Sequence, residues 1–347
     1  MPRILIVKPS SLGDILHAFP AVSLLSKKIP GLKVDWLVHP AFAGLLDYMP
    51  CVERKILFKR KELGSLFSFP SSMLALLKEL RKEKYDAIID FQGLFRSASI
   101  AFLGRSPVVA GPGSPKEGIA KLFYTKRIKV PETVLHAADK NTALACEFLG
   151  IPFESHEAEL PVNERNKENV AKAFQKVCGS VPAPLVGIIP GARWDTKRWP
   201  PEFFAKLIKN MAAARPELNF AIFGAASDTS LAAGICSFSK DSARVFDMTG
   251  RTSIGELVEA LRVCSVAVSN DSGPMHVAAA AGSPLVALFG PTQPKLTGPY
   301  SKKAKVLAPD IDCIGCMKHY CEKGLCHVSL APEDAARAAL ELLCWRN

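Results

Sequence analysis

No stretch of the 347-residue sequence approaches the roughly 18 consecutive apolar residues of a membrane-spanning helix, so no such span is predicted. The apolar run at residues 4–7 is too short for a secretory signal and predicts a first core strand. Helix-turn-helix, zinc-finger and RNP signatures are also missing, which argues against nucleic-acid binding. We therefore expect a cytoplasmic globular protein whose length allows two domains.

Acidic residues are too few to balance the basic ones. The sequence has 33 Asp and Glu against 44 Lys and Arg, which gives a formal net charge of +11. A charge of this size favours an anionic partner, such as a phosphorylated substrate or an anionic membrane surface. A merely solvated basic surface is the alternative. The basic clusters lie mostly in the first half, for example at residues 59–61 and 126–129.

Short apolar runs alternate with amphipathic stretches along the whole chain. Strands are predicted at residues 4–7, 34–38, 55–58, 87–90, 108–109, 185–189, 220–223, 245–246, 266–269 and 285–289. Repeated strand–helix units with continuous Val, Ile and Leu runs predict an α/β fold, in which helices cover both faces of doubly wound parallel sheets.

This alternation is interrupted between a polar stretch at residues 156–168 and a small-residue, proline-containing stretch at 179–184, where we expect an interdomain linker. The expected division is an N-terminal domain at 1–165, a C-terminal domain at 166–331, and a helix within 332–347 that packs back across the first domain. Two such halves predict a cleft in which two substrates meet.

One turn, residues 270–276 (Asn-Asp-Ser-Gly-Pro-Met-His), falls between a predicted strand and a predicted helix. Free backbone N–H groups and the positive end of the helix dipole converge at such a turn, which makes it a candidate diphosphate site. The alternative is an ordinary helix start with Asp271 or Ser272 as the N-cap.

Two further loops repeat this arrangement, one in each half. The loop after the first predicted strand places Asp14 at the start of a helix, where its carboxylate either offsets the helix dipole or acts as a general base. The loop after the strand at 185–189 places Arg193 and Lys197 where they can meet anionic oxygens just before the next helix.

Six motifs occur in one order: residues 10–17 (Ser-Ser-Leu-Gly-Asp-Ile-Leu-His), 90–94 (Asp-Phe-Gln-Gly-Leu), 196–200 (Thr-Lys-Arg-Trp-Pro), 249–253 (Thr-Gly-Arg-Thr-Ser), 271–276 (Asp-Ser-Gly-Pro-Met-His) and 289–292 (Phe-Gly-Pro-Thr). Together they resemble the ADP-heptose:lipopolysaccharide heptosyltransferases of glycosyltransferase family 9. The resemblance spans about residues 1–330, and the first half is most similar to the heptosyltransferase I members.

The resemblance implies a GT-B fold, with the acceptor in the N-terminal Rossmann-like domain and the donor in the C-terminal one. It implies an inverting transfer of heptose from ADP-L-glycero-D-manno-heptose to the Kdo/inner-core region of lipopolysaccharide, without a catalytic metal or other required cofactor. Asp14 matches the general base, and Lys197 matches the lysine that steadies the departing diphosphate. The positions implied to bind the donor are Arg193, Thr196, Lys197, Asp228, Thr252, Asp271, Ser272, Gly273 and His276.

Acceptor binding is assigned to a set of residues in the first half, namely Ser11, Gly13, Lys59, Arg60, Lys61 and Lys116. The implied acceptors are Kdo–lipid A or inner-core glycolipids, whose phosphates and carboxylates suit basic side chains. The same charge suits an anionic membrane, so we expect peripheral association with the inner face of the inner membrane and no nucleic-acid partner.

Four of the ten cysteines, Cys313, Cys316, Cys321 and Cys326, fall close together. In a cytoplasmic protein this spacing favours a metal over disulfides, so a structural zinc is one interpretation. Free thiols or labile disulfides are the other.

Other functions remain open. A transferase for the second or third heptose, or another family 9 transferase, fits the same motifs. A non-catalytic nucleotide- or glycan-binding protein would keep the fold, although such a protein has no need of Asp14 as a base. A basic RNA-binding protein is a further alternative.

Overall fold

The computed structural model describes residues 1–60, 62, 69–239, 244–322 and 324–344. The chain forms two compact units, which span Met1–Ala158 and Glu159–Asn347. Among the described residues, no helix combines the length and the apolar character that crossing a bilayer requires.

The first unit is a parallel sheet flanked by helices. Its strands are β1 (Arg3–Val7), β2 (Lys33–Val38), β3 (Val52–Leu57), β4 (Ala87–Asp90), β5 (Val109–Pro112) and β6 (Lys126–Ile128). Its helices are α1 (Leu12–Leu16), α2 (Phe19–Lys28), α3 (Phe69–Leu80), α4 (Phe95–Leu103) and α5 (Ala137–Leu149), with 3₁₀ segments at Pro40–Tyr48 and Gly118–Phe123. The strand order is β3-β2-β1-β4-β5-β6.

The second unit repeats this plan. Its strands are β7 (Leu185–Ile189), β8 (Asn219–Ile222), β9 (Arg244–Asp247), β10 (Val266–Asn270), β11 (Leu285–Leu288) and β12 (Ala304–Leu307). Its helices are α6 (Glu164–Cys178), α7 (Pro201–Ala214), α8 (Thr229–Ser239), α9 (Ile254–Arg262), α10 (Gly273–Ala280), α11 (Pro294–Thr297), α12 (Leu325–Val328) and α13 (Pro332–Cys344), with 3₁₀ segments at Asp195–Lys197 and Ala226–Asp228. The strand order is β12-β11-β10-β7-β8-β9.

Each strand order has a point at which the chain changes direction along the sheet. In the first unit this point lies between β1 and β4, and in the second between β7 and β10. The loops that follow such neighbouring strands diverge and leave a crevice at the carboxyl edge, where α/β proteins bind ligands. The predicted α/β class, with two doubly wound parallel sheets, is confirmed.

The structure departs from the sequence expectations at several elements. The single helix expected after the first strand is divided into α1 and α2, with a proline in the first turn of α2. Strands β6 and β12 were not predicted. Helix α6 lies within the region expected to be a linker, and only Val170 and Phe174 of this helix are buried, which explains its polar sequence.

Helix α13 belongs to the second unit, whereas the sequence predicts a helix within 332–347 that packs across the first domain. Its apolar side chains, including Ala339 and Leu342, lie in the core of the second unit with residues of α7 and of strands β10 and β11. The helix therefore completes the second sheet's covering layer, because burying its apolar face there removes that face from water.

Candidate active site

Asp14 lies in the loop that follows β1, in the first turn of α1. Its Oδ2 accepts hydrogen bonds from the backbone N–H of Ser11 at 3.0 Å and from the Ser11 hydroxyl at 2.7 Å. Its Oδ1 lies 3.8 Å from the ammonium of Lys8. The Asp14 side chain is 33% exposed, whereas that of Lys8 is 7% exposed. The carboxylate is therefore both oriented and accessible, as a general base must be.

The neighbours of Asp14 set its charge state. Burial raises the pKa of its carboxyl group, but Lys8, the hydrogen bonds from Ser11 and the charge of Lys116 together bring that pKa below its ordinary value. Burial also lowers the pKa of Lys8, and this effect is partly offset by the negative charges of Asp14 and Asp90. Asp14 is therefore a carboxylate at neutral pH and can accept a proton.

A second carboxylate, Asp90 at the end of β4, is completely buried and shapes the adjoining loop. The hydroxyls of Tyr124 and Ser97 donate to its Oδ2 at 2.7 and 2.8 Å, and the backbone N–H of Gln92 donates to its Oδ1 at 2.8 Å. Burial raises the pKa of Asp90, and these hydrogen bonds act in the opposite direction. Because its carboxylate oxygens accept hydrogen bonds from neighbouring residues, Asp90 stabilises the loop beside Asp14.

Lys197 and Asp271 lie in the loops that follow β7 and β10. The Lys197 ammonium is 2.6 Å from Asp271 Oδ2, and the Thr292 hydroxyl donates to the same oxygen. The ammonium also lies 4.4 Å from the ring centroid of Trp194. The side chain of Asp271 is 6% exposed and that of Lys197 is 16% exposed, so the cation is the accessible member of this pair. An ammonium has three N–H donors and can serve an anion as well.

Helix α10 begins directly after this pair, with Ser272 as its N-cap residue. The first-turn N–H groups of Gly273 and Met275 have no carbonyl within the helix to bond, as at any helix start. The Ser272 side chain makes no capping hydrogen bond. Its buried hydroxyl oxygen has no hydrogen-bond partner in the part of the chain that the structure describes. The helix start and Lys197 together form a positive site of the kind that binds phosphate groups.

Asp228 is held against the ends of two strands. Its Oδ2 accepts a hydrogen bond from the backbone N–H of Ala225 at 2.9 Å. Glycines face it on both sides, because a Cβ atom at Gly191 would lie 2.7 Å from Asp228 Oδ2 and one at Gly224 would lie 2.9 Å from it. The two glycines therefore make room for this carboxylate at the carboxyl edge of the second sheet.

The remaining candidates for donor binding follow β7, β9 and β10 at the same edge of the sheet. Arg193 is exposed, Thr252 is half-buried, and His276 is buried in the first turn of α10. Thr196 is buried, and its hydroxyl donates to the Lys318 carbonyl at 2.8 Å. The hydroxyl proton of Thr196 is thus used in a hydrogen bond within the protein, whereas the cationic side chain of Arg193 is exposed to solvent.

Of the three basic residues expected to form an acceptor clamp, the two that the structure describes, Arg60 and Lys59, line different hollows. Arg60 and Ser10 line a cavity of about 300 Å³ in the first unit. Lys59 instead forms an ion pair with Glu62 at 3.2 Å and lines a different hollow. Lys61 lies outside the described residues. Of the two described residues, Arg60 therefore shares a cavity with the loop that leads to Asp14, and Lys59 does not.

The other acceptor candidates belong to the surroundings of Asp14. Ser11 orients the carboxylate as described above, and Gly13 is buried within α1. Lys116 is exposed, and its charge contributes to lowering the pKa of Asp14. These residues surround the Asp14 carboxylate, and Lys116 adds positive charge beside it.

Comparison with known proteins identifies the family. The profile of glycosyltransferase family 9 (heptosyltransferase) matches residues 73–327. The chain is 29% identical to lipopolysaccharide heptosyltransferase 1 of Pseudomonas aeruginosa over 96% of each chain. It is 30% identical to lipopolysaccharide heptosyltransferase 2 of Salmonella typhimurium, over 88% of this chain and 87% of the relative. The chain belongs to glycosyltransferase family 9.

The structural comparison agrees with this family. The fold is similar to that of E. coli heptosyltransferase WaaC with ADP, with a TM-score of 0.79 and 25% sequence identity over 98% of this chain and 99% of that one. The predicted family, the enzyme class and the GT-B fold are thus confirmed for this family 9 glycosyltransferase.

Three residues without a role in the sequence interpretation contribute to the site of this family 9 enzyme. Lys8 and Thr292 hold the carboxylates of Asp14 and Asp271. Arg96 lines the same cavity as Arg60. All three lie in or within two residues of the family motifs, so a signal for them was present, but only the fold shows that Arg60 and Arg96 line one cavity.

The clustered cysteines are free thiols that line one cavity of about 550 Å³; they are Cys313, Cys316, Cys321 and Cys326. Within the described ranges, no three His, Cys, Asp or Glu side chains come together in a way that could hold a metal ion. Burial raises the pKa of Cys326, and the nearby cysteines raise it further. The expectation of a structural zinc is therefore not supported by the arrangement of these side chains.

The loop that carries these cysteines packs on the segment that carries Lys197. The rings of Trp194 and His319 stack with their centroids 3.8 Å apart, and the Lys318 carbonyl accepts the hydroxyl of Thr196. Since Trp194 also contacts the Lys197 ammonium, the loop supports the ring that this cation contacts.

Proposed function

We propose that this protein is a heptosyltransferase I-like enzyme that transfers heptose from ADP-L-glycero-D-manno-heptose to the Kdo/inner-core region of lipopolysaccharide. The relatives named above are lipopolysaccharide heptosyltransferases, and the similar structure of WaaC was obtained with ADP. The observation that carries the proposal is the charge at the two switch points, where Asp14 offers an accessible carboxylate and Lys197 an accessible ammonium.

In this proposal the C-terminal domain binds the donor. The diphosphate of ADP-heptose lies at the start of α10, where it takes hydrogen bonds from Ser272 and the backbone N–H of Gly273 and an ionic contact from Lys197. Arg193, which lies in the same loop after β7 as Lys197, adds a second cation. Asp228, Thr252 and His276, at the same sheet edge, contact the rest of the nucleotide sugar.

The N-terminal domain supplies the base. Asp14 takes the proton of the attacking acceptor hydroxyl while the hydroxyl oxygen forms a bond to the anomeric carbon. The bond from that carbon to the ADP oxygen breaks on the opposite face, and its electron pair goes to the diphosphate. A single displacement of this kind inverts the anomeric configuration.

The leaving diphosphate gains charge during this step, and the protein can meet that charge without a divalent metal. Lys197, Arg193 and the backbone N–H groups of α10 are the donors that we assign to it. Preorganised donors of this kind stabilise the developing charge because they need no reorganisation when the bond breaks.

The acceptor side of the proposal rests on the cavity beside the Asp14 loop. Arg60 and Arg96 line this cavity, and guanidinium groups suit the carboxylates and phosphates of an inner-core acceptor. Lys116 adds positive charge beside Asp14. A lipid-linked acceptor further implies peripheral association with the inner face of the inner membrane, which the net charge of +11 favours.

The proposal is tested by Asp14→Asn, which keeps the shape of the side chain and removes its basicity. We expect transfer from ADP-heptose to Kdo–lipid A, followed by mass spectrometry, to fall by about 10²–10⁴-fold. Calorimetry should find ADP binding unchanged. Glu132→Gln, which removes an exposed charge of the same unit, serves as the control and should keep full activity. Transfer by Asp14→Asn at nearly the wild-type rate would show that Asp14 is not the base.

A second candidate is a heptosyltransferase II-like activity, because the 30% identity to the Salmonella heptosyltransferase 2 is as high as that to the heptosyltransferase 1 relative. Defined acceptors decide between the two. Addition of heptose to a Kdo-terminated glycolipid supports the first candidate, whereas addition only to an acceptor that already carries one heptose supports the second. ADP binding without any transfer would favour a non-catalytic binding protein.

A further inference from the structure

Helix α4 carries apolar side chains on two faces. Its inward face is buried in the core of the first unit. On the outward face, Phe95 and Phe102 remain 46% and 53% exposed. A surface helix normally carries polar residues on the side that faces water. About half of each outward phenylalanine side chain therefore remains in contact with solvent.

The adjacent 3₁₀ segment extends this apolar surface. The ring of Phe123 lies 5.6 Å from that of Phe95 and 5.9 Å from that of Phe102. Ile119 and Leu122 of the same segment are 54% and 66% exposed. We call these five residues the phenylalanine patch. Large apolar side chains that stay exposed together on neighbouring elements mark a surface used for binding.

Five basic residues lie on the two elements of the phenylalanine patch or hydrogen-bond to them, and we call them its rim. They are Arg81, Arg96, Arg105, Lys121 and Arg127. Arg81 donates from its Nε and Nη2 to the carbonyl of Leu103 at the end of α4. Arg127 donates from its Nε to the carbonyl of Lys121 in the 3₁₀ segment. Glu117 carries an acidic group here, and its carboxylate accepts the first backbone N–H of α4 at 2.6 Å. The rim of the patch is therefore cationic.

We propose that the phenylalanine patch docks the protein on an anionic phospholipid bilayer. The apolar side chains enter the boundary between head groups and acyl chains, and the arginines and lysine of the rim meet lipid phosphates. Large apolar side chains next to Lys and Arg are the combination that binds anionic membrane interfaces, because burial of apolar area and charge attraction act together.

This inference rests on the proposed function and locates the lipid part of the acceptor. Phe95 of the patch and Arg96 of its rim also line the cavity of about 300 Å³ to which Ser10 and Arg60 contribute. A glycolipid can therefore keep its acyl chains in the bilayer while its sugar enters the cavity beside the Asp14 loop. Docking through this surface brings the cavity to the membrane.

The test measures cosedimentation of the full-length protein with vesicles of phosphatidylcholine and phosphatidylglycerol (7:3) and with phosphatidylcholine alone. We expect wild type to bind the anionic vesicles, and more weakly at high salt or without phosphatidylglycerol. Phe102→Glu/Leu122→Glu should lower the affinity for anionic vesicles by about tenfold or more. Both side chains are exposed and lie outside the cavity lining, so the variant should fold and keep transfer to a deacylated, water-soluble acceptor.

The matched control is Phe238→Glu/Val162→Glu, which places the same charges at two exposed apolar positions of the second unit. It should bind vesicles as wild type does. The inference is overturned if the patch variant binds anionic vesicles as tightly as wild type, or if the control variant loses as much affinity. It is also overturned if the patch variant only converts a dimer into a monomer and vesicle binding is unchanged.

A different result tests the proposed function. If wild type does not transfer heptose to the soluble acceptor, that result counts against the proposed function, whatever the vesicle binding shows.

Discussion

The two units share one topology and place a lysine–aspartate pair at the same switch point, but they present opposite charges. In the first unit Lys8 is buried and the Asp14 carboxylate is accessible. In the second unit Asp271 is buried and the Lys197 ammonium is accessible. The buried member of each pair acts as the counter-ion that holds the accessible one.

This difference has a simple electrostatic reason. A charge that is taken out of water needs a partner, because an isolated buried ion is strongly unfavourable. At each switch point a lysine–aspartate pair meets this requirement, and the more deeply buried member of the pair is the counter-ion of the exposed one. One scaffold thus provides a proton acceptor in one copy and an anion-binding cation in the other.

The largest effect that tests this comparison is expected from Lys197→Gln, which removes the accessible charge of the second unit. Turnover should fall by about 100-fold or more, since a donor to the leaving diphosphate is lost, and ADP binding should weaken. Steady-state kinetics and calorimetry measure both. Lys209→Gln removes an exposed positive charge from α7 of the same unit and should change neither. If the two variants lose turnover and ADP affinity equally, Lys197 acts only through the net charge of the protein.

Lys8→Met sharpens the comparison in the first unit. Lys8 holds the pKa of Asp14 down while burial raises it, so removal of the ammonium leaves burial dominant. Asp14 then takes up a proton at higher pH, and the acid limb of the transfer rate should move up by about one pH unit or more. Wild type should keep its transfer activity until the pH falls to the ordinary pKa range of an aspartate carboxyl group. The control is Lys8→Arg, which keeps the positive charge and should keep the pH profile of wild type. If Lys8→Met and wild type have the same acid limb, Lys8 does not lower the pKa of Asp14.

Thr292→Val examines the buried carboxylate of the second unit. It removes a hydrogen bond to Asp271, so the free energy of unfolding should fall by about 1.5–3 kcal/mol, as for hydrogen bonds to charged groups. ADP affinity should fall severalfold because Lys197 is then held less firmly. Denaturant unfolding and calorimetry are the measurements. Thr297→Val, at an exposed position of α11, is the control, and a loss as large at that position would argue against the special role of Thr292.

The smallest effect is expected from His319→Ala, which removes the ring stacked on Trp194. Loss of an aromatic pair costs about 0.5–1.5 kcal/mol, and ADP binding should weaken by only about two- to threefold, because Lys197 keeps its ion pair with Asp271. His319→Phe keeps a ring and should restore ADP affinity. If the alanine variant binds ADP as wild type does, the cysteine-bearing loop does not position Lys197.

The sequence was sufficient for the parts of the fold with strong local signals. Strands such as β1 and β10 are continuous apolar runs, and Asp14 and Asp271 stand just after them, so the candidate site could be placed at strand ends. Strand β6 could not be predicted, because Lys126–Ile128 is a short edge strand whose sequence has the pattern of a basic surface. Helix α6 was missed because it buries only two side chains.

The sequence alone established the alternation of strands and helices, the order of the motifs and the types of charge available at each loop, because these depend on residues close together in the chain. Only the tertiary structure decided which charge of each pair is accessible and that Arg60 and Arg96 share a cavity while Lys59 does not. It also shows how the four clustered cysteines are arranged, with no three potential metal ligands brought together among the described residues. Burial and distance depend on segments far apart in the chain, and local sequence patterns carry little information about them.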